Sequence, residues 1–261
     1  MNFIKCFDHF IFDLDGVVYN GAKPTKKSPQ VLKKLRILGK KISFITNNPT
    51  RSPSEYVKKL NSMGIFSSKE EFITSPMAVG EYLITKHRKL KEKTAFVIGS
   101  SYLKSEVKKT GIQTLNGEKA YTSDFVILGG HSDFNYEEIK TASISIRNGA
   151  KFIATNKDSF YPSDSIFYPA TGALLASVEV SSGTKAVTVG KPESYIFNLL
   201  KIRASEKILL IGDSLTTDIL GGKKAGFATA LTLTGLTKKD EIKKSKINPD
   251  YIIQDLSFLL K

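Results

Sequence analysis

Short, mostly apolar runs alternate along this chain with longer stretches in which apolar residues recur every three or four positions. The runs His9–Asp13, Ile42–Thr46, Ala95–Ile98, Phe125–Leu128, Phe152–Ala154, Ala186–Val189, Ile208–Ile211 and Thr229–Leu233 read as buried strands. Helical periods lie between most of them. Ser28-Pro29 places a capping residue before a proline at the first helical position, and Val31, Leu32, Leu35 and Leu38 follow at helical spacing. Ser52-Pro53-Ser54-Glu55 repeats the device as a capping box. Tyr56, Val57, Leu60 and Met63 make its apolar face, with Gly64 as the stop. Another helix starts after Asp213 and runs to about Ala225, ended by Gly226. This alternation predicts an α/β protein of parallel sheets with covering helices.

Four polar segments follow directly on apolar runs: Asp13-Leu14-Asp15-Gly16, Thr46-Asn47-Asn48, Gly190-Lys191-Pro192, and Gly212-Asp213 with Asp218. Open α/β sheets bind ligands at the carboxyl ends of their strands, where these segments fall. Two precede residue 50 and two follow residue 189, and the roughly 100 residues between carry strand and helix signals enough for a second small domain. The spacing therefore predicts a core made of residues 1–79 and 184–261, interrupted by an inserted domain over 80–183. Small and turn-forming residues near Pro76–Gly80 and Ser181–Lys185 mark the edges.

The residue types say what the segments are for. Asp13 and Asp15, followed by Gly16, leave the strand through a tight turn whose backbone N–H groups can face an anion. A carboxylate such as Asp13 can attack phosphorus and split one hard hydrolysis into two easier steps. Asp15 can protonate the leaving oxygen and later deprotonate water. A calcium loop, which also uses D-x-D-G, is excluded because its twelfth position would be Pro24 rather than glutamate. Thr46 and the Asn47 N–H are donors for a phosphoryl oxygen, with Asn48 beside them. Lys191 supplies a point charge that holds a phosphate and relieves repulsion between it and Asp13. Asp213 can ligate a metal with Asp13 and the Asp15 carbonyl; hard oxygen ligands suit Mg²⁺. Asp218 can orient Lys191 or bind a metal water, or simply complement a helix dipole. Together the four segments read as a magnesium-dependent phosphatase.

Composition narrows the picture further. In 261 residues, 41% are apolar and 25% charged, an ordinary globular balance. The net charge of +14 raises the question of nucleic acid, but the basic residues are mostly scattered lysines, with arginine only at 36, 51, 88, 147 and 203. Arginine is the usual residue for bidentate phosphate and base contacts, so its scarcity counts against specific nucleic-acid recognition. No apolar stretch approaches the ~18–20 residues that cross a bilayer, so no membrane partner is expected. Asp8, Asp13 and Asp15 interrupt the one apolar segment near the N-terminus, and Cys6 has no disulfide partner, so the cytoplasm is the expected compartment. His131, in the loop Gly129-Gly130-His131-Ser132-Asp133, reads as an exposed histidine without a role.

D-L-D-G, T-N-N, G-K-P and G-D-S-L-T-T-D resemble, in order, the four motifs of the haloacid dehalogenase superfamily, and the whole chain looks most like its NagD and 4-nitrophenyl phosphatase branch. The resemblance implies a Rossmann-like core with helices on both faces and an inserted smaller α/β cap domain. It makes Asp13 the nucleophile, Asp15 the acid and base, and Thr46, Asn47 and Lys191 the phosphate binders. Asp13, the Asp15 carbonyl and Asp213 become ligands of Mg²⁺, with Asp218 in support. Asp15 argues against dehalogenation, because the superfamily's hydrolytic dehalogenases lack this acid. Ala154-Thr155-Asn156-Lys157-Asp158 and Pro169-Ala170-Thr171-Gly172-Ala173 resemble cap segments of the branch, the first implied to approach the active-site entrance. The implied partner is a small phosphorylated metabolite, and the resemblance also admits a homodimer through the cap. Phosphotransfer to a non-water acceptor, or non-catalytic binding of a phosphometabolite, are the competing readings.

Overall fold

In the computed structural model, residues 3–163 and 166–261 are described. Along the chain the strands are β1 (His9–Phe12), β2 (Tyr19–Asn20), β3 (Lys23–Pro24), β4 (Lys41–Thr46), β5 (Phe72–Thr74), β6 (Thr94–Ile98), β7 (Gln113–Thr114), β8 (Phe125–Leu128), β9 (Lys151–Ala154), β10 (Phe160–Ser163), β11 (Ile166–Pro169), β12 (Val187–Thr188), β13 (Ile208–Gly212), β14 (Ala228–Thr232) and β15 (Tyr251–Ile253). The chain divides into two compact units. One comprises 1–46, 53–73 and 191–261, and the other 47–52 and 74–190. Among the described residues, no helix is long and apolar enough to cross a membrane.

The first unit holds a sheet in the order β15-β14-β13-β1-β4-β5. β1 lies parallel to both β13 and β4, with Phe12 level with Ile211 on one side and Phe44 on the other. Chain order runs outward from β1 in both directions, so the topology switches between β1 and β13. That is where a crevice opens at the carboxyl ends of such a sheet. β1, β13 and nearly all of β4 are buried along their length, which is why they read as mostly apolar runs rather than alternating ones. Phe10, Phe12, Phe44, Tyr56 and Phe72 pack with Leu32, Leu35 and Leu209 as the centre of the unit's apolar core.

The second unit has its own sheet, β12-β9-β8-β6-β7, whose adjacent strands are all parallel, and a separate antiparallel hairpin β10-β11. Its core gathers Phe96, Ile98, Val126, Leu128, Phe152 and Val178. The units change at 73/74 and 190/191, not at 79/80 and 183/184. The helix Ser75–Lys86 packs on the helix Ser101–Lys109, and β12 pairs with β9, so both segments are drawn into the second unit. The short segment 47–52 joins it because Ser75 Oγ and Asn156 Nδ2 donate to the Asn47 carbonyl at 2.6 and 2.7 Å and Ser100 Oγ donates to the Pro49 carbonyl at 2.8 Å.

Three local readings need correction. Lys27, not Ser28, occupies the N-cap position of the first helix, at a φ of 65° and with no capping bond from its side chain; Ser28 is the first helical residue, and its hydroxyl donates to the Val18 and Thr25 carbonyls at 2.8 and 3.0 Å. Buried beside two acceptors, the hydroxyl is more useful as a donor to them than as a cap. The helix after Asp213 opens as a π-helical turn, Leu215–Ile219, before continuing as the α-helix Leu220–Lys224. His131 is half-buried, with Nε2 3.0 Å from Glu138 Oε2, because the loop folds it against the helix Tyr136–Arg147. Strands β5 and β15 and the β10-β11 hairpin carried no sequence signal. The first two are three residues long, and the hairpin's aromatics Phe160, Tyr161, Phe167 and Tyr168 are exposed instead of filling a core.

Within the sheet sits a titratable group with no part in the motifs. His9, on β1, is fully buried; its Nε2 pairs with Ser43 Oγ at 2.9 Å, and its Nδ1 lies 3.4 Å from Glu206 Oε2. Burial, reinforced by the Lys41 ammonium and opposed by Glu206, pushes its pKa from 6.5 down to about 4. The unfolded chain therefore takes up this proton first. The stabilising contribution of neutral His9 is present above pH 6.5 and is lost as the pH falls through 4, by on the order of 3 kcal/mol in total. Urea titrations at steps across that window are expected to show a steeper loss for wild type than for His9→Gln. Equal slopes would mean that the ring's proton is not linked to folding.

Candidate active site

Four charged side chains converge where β1 and β13 end. Asp13 follows β1 directly and Asp213 follows β13, so the register that levels Phe12 with Ile211 brings their backbones side by side. The Asp13 N–H donates to the Ile211 carbonyl at 2.9 Å. Lys191 enters from the start of the unit's last segment and places Nζ 2.5 Å from Asp13 Oδ1 and 2.6 Å from Asp218 Oδ1, with the Ile45 carbonyl at 3.4 Å. The lysine and Asp218 side chains are buried, and that of Asp13 is 12% exposed.

Asp218 has both oxygens engaged. Oδ1 faces Lys191, while Oδ2 accepts from the Asp213 and Ser214 N–H groups, each at 3.1 Å. It therefore ties the lysine to the strand end that carries Asp213. Gly212 leaves the room for this approach, since a Cβ there would lie 2.1 Å from the Cβ of Asp218. The π-helical turn brings residue 218 back over residue 213, within reach of its N–H.

The electrostatics are those of a site short of positive charge. Burial pushes the Asp13 carboxyl up to about 7; Lys191 opposes this and Asp218 adds to it. Asp213 is driven well above the usual carboxylate range by burial and by its neighbours Asp13 and Asp218. Burial works against the Lys191 ammonium, but Asp13 and Asp218 outweigh it and hold its pKa above the ordinary lysine value. Three carboxylates thus share one ammonium, and one oxygen from each of Asp13, Asp213 and Asp218 lies within 4.8 Å of the others. Asp213 Oδ2 accepts from the Leu236 N–H at 2.7 Å, and among the described residues no donor reaches its Oδ1. A hard-oxygen donor set of three carboxylates that, once ionised, exceeds its one ammonium by two charges fits a divalent cation such as Mg²⁺.

The other expected residues are distributed as follows. Asp15 is half-buried at the head of a turn closed by the Gly16 N–H on the Tyr19 carbonyl at 2.8 Å. Thr46 is buried at the end of β4, beside β1. Asn47 and Asn48 belong to the second unit. There the Asn47 carboxamide donates to Asp158 Oδ1 at 3.3 Å, and the exposed Asn48 accepts from Thr50 N and Oγ1 at 2.9 and 2.7 Å. In the A-T-N-K-D segment, Asn156 is buried and joins Asn47 to Asp158, whose N–H it accepts at 3.0 Å. Sequence reasoning overlooked the segment Thr234–Thr237, which reaches Asp213 through the backbone N–H of Leu236 and so left no trace in side-chain chemistry. Its one legible signal is Thr-Gly straight after an apolar run.

Removing the lysine leaves buried carboxylates without their cation. Lys191→Met is expected to destabilise the metal-free protein by about 3–5 kcal/mol. Because the carboxylates are then raised further, the loss grows as the pH rises from 5 to 8. Denaturation in EDTA at both pH values measures it; a loss independent of pH would show that the lysine does not carry the charge balance.

The geometry is matched by kinship. A haloacid dehalogenase-like hydrolase model matches residues 10–113, and a second HAD-hydrolase-like model matches 188–259. An acid sugar phosphatase from Staphylococcus saprophyticus is 33% identical over 99% of this chain and 98% of its own length. The 5'-nucleotidase YutF of Bacillus subtilis is 32% identical over 97% of this chain and 98% of its own. Among solved structures, a glycerol phosphate phosphatase from Mycobacterium tuberculosis in complex with magnesium superposes with a TM-score of 0.92 at 26% identity, covering 99% of this chain and 78% of that one. Motif order, strand-end carboxylates and full-length kinship converge: the chain belongs to the haloacid dehalogenase-like hydrolases, as a NagD-like phosphatase.

Proposed function

We propose that this phosphatase hydrolyses small phosphate monoesters through an aspartyl-phosphate on Asp13. The observation that carries the reading is the pair of contacts made by Lys191, 2.5 Å from Asp13 and 2.6 Å from Asp218 in a buried site. A carboxylate approaching a phosphate dianion meets like-charge repulsion; an ammonium fixed between the two removes it.

The steps follow from the groups present. Asp13 Oδ attacks phosphorus in line with the ester oxygen, and the P–O bond to the organic group breaks as the new P–O bond forms. Asp15 gives its proton to the departing oxygen. Its carboxylate then takes a proton from water, whose oxygen attacks the same phosphorus and releases Asp13 with inorganic phosphate. Thr46 and Lys191 hold phosphoryl oxygens, and Asp218 keeps Lys191 in place. Asp13, the Asp15 carbonyl and Asp213 would hold Mg²⁺, which when bound supplies charge neutralisation at the transferring group.

The relatives are named for sugar phosphates, nucleotides and glycerol phosphate. What these share is a phosphate ester on a hydroxylated carbon skeleton, and that is the substrate class proposed for this chain. Phosphate release from a panel of such esters, with Mg²⁺ or with EDTA, tests the reading. Release is expected only with the metal, and Asp13→Asn should lower it by about a thousandfold or more. Substantial turnover by that variant would remove Asp13 as nucleophile. Adding glycerol to the assay separates water from alcohol as acceptor, since transfer would appear as a new ester in place of free phosphate.

A further inference from the structure

The segment between β14 and the helix Lys239–Lys244 touches both halves of the carboxylate site. Its Leu236 N–H donates to Asp213 Oδ2 at 2.7 Å, and the Thr237 N–H donates to the Asp213 carbonyl at 3.1 Å. Thr237 Oγ1 accepts from the Leu215 N–H at 3.3 Å, fastening the start of the π-helical turn. On the other side, Thr234 Oγ1 donates to the Gly16 carbonyl at 2.6 Å, and its own carbonyl accepts from Asn20 Nδ2 at 3.1 Å. The segment is therefore bonded both to Asp213 and to the turn that carries Asp13 and Asp15.

Between these anchors the Asp213 carboxylate lies against two bare backbones. A Cβ on Gly235 would stand 1.8 Å from Asp213 Oδ2 and 2.5 Å from its Cγ, and a Cβ on Gly16 would stand 2.2 Å from the same oxygen. No side chain fits at either position unless the carboxylate moves. Gly16 also has a φ of 82°, so its backbone could not hold this turn comfortably with a side chain. The carboxylate is thus gripped on two sides, with one oxygen fixed by Leu236 and the other left without a protein donor among the described residues.

We infer that Thr234 and Gly235 are positioning residues for the cation: Gly235 fixes the carboxylate of Asp213 by close approach, and Thr234 locks that carboxylate to the Asp13–Gly16 turn, so that ligands from two strand ends are held in one geometry. The inference rests on the cation reading above. It concerns neither nucleophile nor acid, because neither residue reaches the reacting atoms. Partners that hold a metal ligand in place typically contribute about 10- to 100-fold in metal affinity.

Isothermal titration of the substrate-free protein with MgCl₂ tests this directly. Gly235→Ala is expected to bind Mg²⁺ about 10- to 100-fold more weakly than wild type. Thr234→Val, which keeps the shape but removes the donor to Gly16, should weaken it several-fold, and Thr234→Ser should restore it. The same order should appear in the Mg²⁺ concentration giving half-maximal phosphate release, with the rate at saturating Mg²⁺ changed less. Thr234→Val keeps the test decisive if Gly235→Ala does not fold. If wild type binds Mg²⁺ and both variants bind it equally well, the inference is overturned while the cation reading stands. A wild-type protein that binds no Mg²⁺ would overturn both.

Discussion

A single buried ammonium links the carboxylates of the candidate site. Lys191 Nζ lies within hydrogen-bonding distance of Asp13 and Asp218, and Asp218 in turn receives the N–H groups of Asp213 and Ser214. Asp13, Lys191, Asp218 and Asp213 are connected through this one contact chain. Desolvating these charges is expensive, and the attraction between them repays it only when geometry is good and the remaining lone pairs find donors. Asp218 meets that requirement fully and Asp213 only in part. The unmet share, three carboxylates against one ammonium and an Asp213 oxygen with no donor among the described residues, is what a divalent cation would satisfy.

The first unit's sheet exists in the form the site requires. β1 and β13 are neighbours in space although nearly 200 residues separate them in the chain, and their parallel register sets Asp13 beside Gly212 and Asp213. Both strands are buried on both faces, so a slip in register would disturb apolar packing against Phe44, Leu209 and Ile211 as well as the carboxylates. Packing thereby enforces the position of the chemistry. The carboxylates themselves, raised in pKa by burial and by one another, are a local source of instability that the core offsets.

The second unit is an α/β body in its own right, with a parallel sheet and a separate apolar core. It also takes in residues 47–52, so the Thr-Asn-Asn motif is divided between the units, with Thr46 on one side and Asn47 on the other. The backbone carbonyl of Asn47 is bound by Ser75 and Asn156, and its side chain by Asp158. A motif continuous in sequence is thus shared by two bodies. In the A-T-N-K-D segment, which the family resemblance implied to approach the active-site entrance, Asn156 and Asp158 both bond Asn47.

Much of this was legible in the chain before any coordinates. Buried parallel strands are apolar along their whole length, so β1, β4, β8, β9 and β13 could be read directly, and the polar residues that follow them had to lie at the sheet edge. Asp13, Lys191, Asp213 and Asp218 were named by that logic. Short or edge elements such as β5 and β15 were not, because three residues carry no period. Only the tertiary structure decided that Asp218 bonds Lys191 and the Asp213 backbone at once, that Ser28 serves as a donor inside the helix while Lys27 takes the N-cap position, and that Gly16 and Gly235 close on Asp213 from both sides. The physical reason is range. A sequence pattern reports what neighbours along the chain prefer, whereas these contacts join residues as far apart as Gly16 and Asp213 and depend on backbone N–H groups and missing side chains that every residue, or any glycine, could have offered.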